Sequence, residues 1–249
     1  MSLNLDTLKT DTLQMPVDAL RGQRSFLDAI PPGILIQLTP FLRVRTIKQG
    51  KVLQAPGEPF AEVCFPLSAV VSLQETFADG SEVSVAMVGR ESAIGLNAAL
   101  ASDAAIGRAV VQFSGDAAFV SADRFAVLAS ENAPLRAVIA RHNSALLAQV
   151  QRTAACNVRH SAEQRLCRVL LQGSDLGRSD QVAITQEALS DHLGVRRTTV
   201  TLIAQSLQAA GIIRYTRGRI IICDLQGLRA AACECYGYID GLRRLPSAD

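Results

Sequence analysis

The chain has 249 residues, 49% hydrophobic and 19% charged, with no Trp and a formal net charge of +2. This length suits two domains of about 100–200 residues each, and this balance excludes wholesale disorder. No uncharged apolar run approaches the roughly 20 residues of a spanning helix. The N-terminus scatters Asp6, Lys9 and Asp11 among Leu and Thr and lacks a secretion-signal pattern. A cytoplasmic protein without membrane contact is therefore expected.

Charge is unevenly placed. Residues 1–151 balance to −2 and residues 152–249 to +4, and every basic residue of the second part is Arg. The planar Arg fork suits phosphate and guanine edges, although high-GC coding would also favour Arg.

In chain order, residues 1–25 read as a weakly patterned polar arm. Pro31-Pro32 opens a short helix over Gly33 to Leu38. From Val44 to Val120 the pattern changes to short strands, among them Val63–Phe65, Val70–Thr76, Glu82–Val88 and Arg108–Phe113, punctuated by glycines. Asp79-Gly80 between two such runs is the strongest hairpin signal. Many short strands with regular turns predict an antiparallel sandwich or barrel.

Residues 123–173 read as helix, with a stripe formed by Leu135, Val138, His142, Ala145, Gln149 and Arg152 or Thr153, flanked by Ile139, Leu146 and Val150. The sharper reading is a coiled-coil seam between two chains; the plainer one is an amphipathic helix packed on its own domain. Ser161-Ala-Glu-Gln164 is a capping box that starts another helix running to about Gln172, with residues 173–177 as a loop.

The most informative segment is 184–213. Thr185 caps a helix over Gln186 to Leu193, Gly194 supplies a sharp turn, and a second helix runs from about Arg197 to Gly211. Leu189, Leu193, Val195, Val200 and Ile203 are apolar where two such helices bury a shared face, and Ser190 is small at their crossing. These requirements together specify a helix-turn-helix. Ile212 to Asp224 then reads as strand, Arg217-Gly218 turn, strand, which is a wing.

A recognition helix reaches bases from its N-terminal turn. Arg197 is expected to make a bidentate contact to guanine, and Thr198 and Thr201 to meet thymine methyls or share single hydrogen bonds. Thr185, Arg196, Thr199, Arg217 and Arg219 are expected on phosphate, and Leu202 and Leu207 inside or on the groove wall. His192 is expected to be exposed or near phosphate, and His142 to be a core or interfacial residue.

With Gln49-Gly-Lys-Val-Leu-Gln-Ala-Pro-Gly-Glu58, Asp79-Gly80, Glu91-Ser-Ala-Ile-Gly95 and the helix-turn-helix in this order, the chain from about Ser25 resembles the Crp/Fnr regulators. The resemblance implies an α+β fold: an antiparallel β-roll (double-stranded β-helix or jelly roll), a long dimerisation helix and a winged helix-turn-helix. Residues 1–25 would form the arm, 26–122 the sensor, 123–160 the dimer helix, and 161–249 the DNA-binding domain and tail. It also implies a transcription regulator with double-stranded DNA, a second copy of the chain and RNA polymerase as partners.

Members of this family that bind cyclic AMP carry Gly-Glu-Leu/Ile-Gly, then an Arg-Ser or Arg-Thr pair on the phosphate. Here Ala93 stands where the Glu belongs and Ala109 follows the nearest Arg; a gapless alignment would even place Ala105 and Ile106 there. Cyclic AMP is therefore not the expected effector. Glu91 and Arg108 remain as candidates for another effector, or for each other.

Residues 1–63 hold no Cys, against an N-terminal iron–sulfur cluster. Cys156 and His160 stand four residues apart on one helix, and Cys233-Glu-Cys235 is close-spaced, but neither pair alone supplies a tetrahedral site. Cys233 and Cys235 are read as structural thiols, with redox sensing as the alternative, and Cys156 and His160 as a coincidental pair, so no metal or cofactor is expected. Without a Gly-rich phosphate loop, nucleophile elbow or paired His ligands, nothing suggests an enzyme.

Overall fold

In the computed structural model the described residues are 25–59, 61–97, 104–105, 107–216 and 218–243. The polar arm, apart from Ser25, lies outside them, as do Ile106 and Arg217.

Ser25 caps a 3-10 turn, Phe26–Ala29, accepting from the Leu27 amide while Asp28 reaches back to the Ser25 amide. Pro32 then sits in the first turn of α1 (Pro32–Leu38), where its missing N–H costs nothing. Seven strands follow: β1 (Arg43–Ile47), β2 (Val52–Gln54), β3 (Glu62–Pro66), β4 (Val70–Thr76), β5 (Glu82–Val88), β6 (Arg108–Phe113) and β7 (Gly115–Ser121). They pair antiparallel into two sheets, β1-β7-β3 and β2-β6-β4-β5. Inward residues such as Ile47, Val71, Val88, Val111 and Phe119 fill the space between the sheets. The Asp79-Gly80 turn joins β4 to β5, with Gly80 at φ +81° and Asp79 accepting from the Ser81 amide. Gly115 is required at its crossing: a Cβ there would lie 2.4 Å from the Ala69 backbone nitrogen.

Ser121 caps α2 (Ala122–Glu131), and Asn132 with Pro134 breaks the chain into α3 (Ala133–Arg159). At 27 residues, α3 is about 40 Å long. Its Leu135, Val138 and Ile139 join Phe26, Phe65 and Phe125 in one core. His142 stands edge-on to Phe26 at 5.2 Å between centroids, with Nε2 at 2.8 Å from Ser92 Oγ. Leu146 and Val150 pack against the roll interior, half-buried Ala145 shares a crevice with Ser92 and Leu242, and Gln149 Nε2 donates to the Met87 carbonyl at 3.2 Å.

This placement corrects the coiled-coil reading of that stripe. Leu135, Val138, His142, Ala145, Leu146 and Gln149 face the chain's own roll, because their bulk is what the roll needs to close its open side. The plainer alternative, an amphipathic helix on its own domain, describes these residues.

The Ser161 capping box, completed by Gln164, opens α4 (Ala162–Gly177), which ends on Arg178 in the left-handed region. The helix runs five residues past the expected Gln172, so 173–177 is its last stretch rather than a loop. Gly173 is there for close packing, since a Cβ would meet Val182 Cγ1 at 2.9 Å. Next come β8 (Gln181–Val182), α5 (Gln186–Leu193), α6 (Arg197–Ala209), β9 (Ile213–Thr216), β10 (Arg219–Ile222), α7 (Leu225–Ala231) and α8 (Cys235–Leu242). The small sheet has the order β8-β10-β9. No helix among the described residues is long and apolar enough to cross a membrane.

The two halves share a core. Val70, Met87 and Phe113 of the roll pack among Leu166, Leu170, Leu189, Leu193 and Ile220. Buried in this contact, His192 Nε2 lies 3.2 Å from Gln112 Oε1, which contradicts its expected exposure: the face of α5 that carries it docks on the roll. Burial, helped by the charge of Arg168, pulls the His192 pKa down to about 4, and burial does the same to His142. Both rings are therefore neutral in the fold, whereas the unfolded chain protonates them near 6.5. Between these values the unfolded state binds more protons, so stability present above about 6.5 is lost as pH falls toward about 4. Urea unfolding across this window will show stability decreasing with acid, and His192→Gln will flatten the decrease. Equal slopes for the two proteins would contradict the buried, neutral ring.

Candidate nucleic-acid interface

The helix-turn-helix is built by local signals. Thr185 Oγ1 accepts from the Ala188 amide at 3.1 Å and starts α5; its own hydroxyl proton stays available to an outside acceptor. Gly194, at φ +60°, terminates α5 in a left-handed turn that lets the Val195 amide reach the Ser190 carbonyl at 3.1 Å. Leu189, Leu193, Val200, Ala204 and Leu207 are buried between the helices, with Val195 and Ile203 against them.

The opposite side of α6 is open. Arg197, Thr198, Leu202 and Gln205 are exposed, Leu202 to 68%, and α6 contains no acidic residue. Thr201 Oγ1 lies 3.0 Å from both Gln186 Oε1 and the Arg197 carbonyl, so part of its hydrogen-bonding capacity is already used by the motif. Arg196 is the exposed N-cap residue, and Thr199 is half-buried in the first turn. Leu207 is internal, while Leu202 stands on the open face where a groove wall would be. Gln205 escaped the sequence reading; its place one turn beyond Thr201 and Leu202 was the available signal.

The wing is β9 and β10, with Gly218 at φ +76° in its turn and Arg214 and Arg219 exposed on the strands. The Tyr215 amide donates to Gln208 Oε1 at 2.9 Å and ties the wing to α6. Arg214 was also missed, because strand alternation alone does not say which face meets solvent. Arg165, buried beneath, donates to the Leu193 carbonyl at 2.8 Å and fixes the elbow of the motif.

Glu91 and Arg108 do not meet. Glu91 accepts from the Gly89 amide and faces Arg243 of the C-terminal segment at 3.6 Å, whereas Arg108 pairs with Glu82 at 3.2 Å. Each is engaged by its own partner, so they form no joint effector site.

The two sulfur-bearing pairs do meet, against the expectation of unrelated structural groups. Cys156 and His160 at the end of α3, and Cys233 and Cys235 at the start of α8, bring their ligand atoms within 4.8 Å of one another. Sequence spacing could not show this because the pairs lie more than seventy residues apart and meet only when α8 folds back on α3.

Residues 164–231 match the family model of the Crp-like helix-turn-helix domain. That segment is a Crp-like helix-turn-helix domain, and the fold of the chain around it is similar to that of solved Crp/Fnr-family structures. Its α+β architecture is shared by solved structures of that type at low identity. A regulator assigned to the Crp/Fnr family from Eubacterium rectale is 16% identical, with a TM-score of 0.66 over 81% of this chain and 94% of its own. The c-di-GMP responsive global regulator of Xanthomonas campestris is 18% identical, with 0.64 over 78% and 100%. A Crp/Fnr-family transcriptional regulator from Thermus thermophilus is 22% identical, with 0.64 over 76% and 97%. No curated protein matches the sequence. The open face of α6 and the adjacent wing both lie inside the matched segment.

Proposed function

We propose that this protein is a sequence-specific DNA-binding transcription regulator that acts as a homodimer on a pseudo-palindromic operator. The observation that carries the reading is the open, acid-free face of α6 beside an Arg-bearing wing. In this reading Arg197 reads a guanine, and Thr198, Thr201, Leu202 and Gln205 contact neighbouring base edges. Thr185, Arg196, Thr199, Arg214 and Arg219 hold phosphate, and Arg217, outside the described residues, is given the same role from the sequence alone. Arg197→Ala will cost about 1–3 kcal/mol on the preferred duplex and flatten preference at one base pair of each half-site. Binding-site selection with the variant checks this, and an unchanged preference would remove Arg197 from the bases.

The dimer reading rests on the other face of α3. Ala137, Ala140, Ser144, Leu147, Gln151, Ala154 and Val158 are all exposed, Leu147 to 58% and Val158 to 92%, and their spacing alternates between three and four residues. That is a heptad seam, and its small side chains let two helix backbones approach closely. Ser144 Oγ is already bonded to the Ala140 carbonyl at 3.0 Å, which suits it to a partly dry contact. Leu147→Glu with Ala154→Glu will give a monomer in sedimentation velocity at unchanged helix content. A dimer that survives both charges would relocate the interface.

The effector is absent or is not cyclic AMP. A cavity of about 250 Å³ opens beside β1, β2, β3 and β7, lined by Arg45, Lys51, Gln54, Glu58, Glu62 and Phe119 among others. Arg45 is held there by Glu62 and lies over the Phe119 ring at 3.8 Å, so it is not a free phosphate ligand.

A further inference from the structure

Cys156, His160, Cys233 and Cys235 form a donor set that the DNA-binding reading does not use. Cys156 Sγ and Cys233 Sγ are 3.5 Å apart, and Cys235 Sγ and His160 Nδ1 are 3.8 Å apart. With zinc–sulfur and zinc–nitrogen bonds of about 2.3 and 2.0–2.1 Å, tetrahedral ligands stand about 3.8 Å apart for sulfur pairs and about 3.6 Å for a sulfur–nitrogen pair. The most distant donors, within 4.8 Å, need to close by only about 1 Å.

We propose that these four side chains bind one zinc-type divalent cation in a tetrahedral Cys3His site. Three features beyond proximity support it. First, His160 Nε2 lies 3.0 Å from Glu234 Oε2. A carboxylate there requires the ring proton on Nε2, which leaves the Nδ1 lone pair toward the sulfurs; this carboxylate–imidazole arrangement is how ligating histidines are oriented. Second, the three cysteines are buried together and apart from the main cores. A tetrahedral cation would give each sulfur a strong partner in that interior. Third, three thiolates, a neutral imidazole and a divalent cation sum to −1, and positive charge is close by. Arg168 acts electrostatically on both Cys156 and Cys233, and the Nε atoms of Arg165 and Arg168 are buried without a hydrogen-bond partner. A disulfide between Cys156 and Cys233 would use two of the four donors and leave the oriented imidazole and Cys235 without a role.

The site sits where the long helix hands over to the DNA-binding domain. Cys156 lies in the last turn of α3, His160 is its C-cap residue, Cys233 stands two residues before α8 and Cys235 is its first residue. Farther along, Arg152 covers the Tyr238 ring at 3.8 Å, and Arg243 donates to the Met87 carbonyl of the roll at 3.1 Å. The cation would therefore pin α8 across the elbow between the roll, the long helix and the reader.

The test is metal content of the full-length chain purified under reducing conditions. The expected result is one zinc per chain by elemental analysis. Cobalt added to the metal-free chain should give the intense visible bands of a tetrahedral ion with a near-ultraviolet thiolate charge-transfer band. Cys233→Ser and Cys235→Ser should each lose both signals, while Cys64→Ser and Cys167→Ser keep them. Absence of zinc together with no tetrahedral cobalt spectrum on titrating the reduced wild-type chain would overturn the site, whatever the variants do. Full metal retention in folded Cys233→Ser and Cys235→Ser would overturn it too, as would a Cys156–Cys233 disulfide in a chain that binds no cobalt.

Discussion

The long helix α3 carries two faces with opposite tasks, and the rest of the molecule depends on keeping them apart. One face is bulky: Leu135, Val138, Ile139, Leu146 and Val150 complete the core of the β-roll. At about 1.5–3 kcal/mol for each large side chain buried, this face welds the helix to the roll. The other face is small and open, from Ala137 to Val158. A seam of small residues that also leaves Leu147 and Val158 exposed contributes little to a monomer, and this supports the proposal that a second helix covers it. With the helix fixed to the roll by one face, the other is the face on which the proposed dimer would set the placing of its two helix-turn-helix units.

The reader is not loosely tethered. Met87 and Phe113 enter its core, and the buried His192–Gln112 contact joins α5 to β6. Met87 also lends its carbonyl to both Gln149 and Arg243, so one residue of β5 touches the long helix, the C-terminal segment and the reader. Any shift of β5 would be felt by all three.

Much of this was legible in the sequence where the signal is local. Thr185, Gly194 and the apolar positions of α5 and α6 specify the helix-turn-helix because caps, turns and 3.6-residue periodicity act within a few residues. The Asp79-Gly80 hairpin and the Ser161 capping box are of the same kind. What stayed hidden depends on which surface meets which. The stripe from Leu135 to Gln149 was visible, but periodicity cannot say whether its partner is the same chain or another. The seam beside it was overlooked because Ala, Ser and Gln at five of its seven positions dilute the hydrophobic signal of Leu147 and Val158. His192 looks like a surface residue until α5 docks on the roll. The sulfur cluster needs α8 to return to α3, a contact between segments distant in sequence. Gly173 misled in the other direction, since glycine marks close packing as well as helix ends.

The central claim is that two copies of this chain present their α6 helices to DNA with two-fold symmetry. Selection of bound sequences from a random duplex pool, using the full-length protein, tests it most directly. The account predicts convergence on an inverted repeat whose half-sites lie about one helical turn, roughly 34–36 Å, apart. Convergence on a single unrepeated site, or no convergence at low salt, would contradict it.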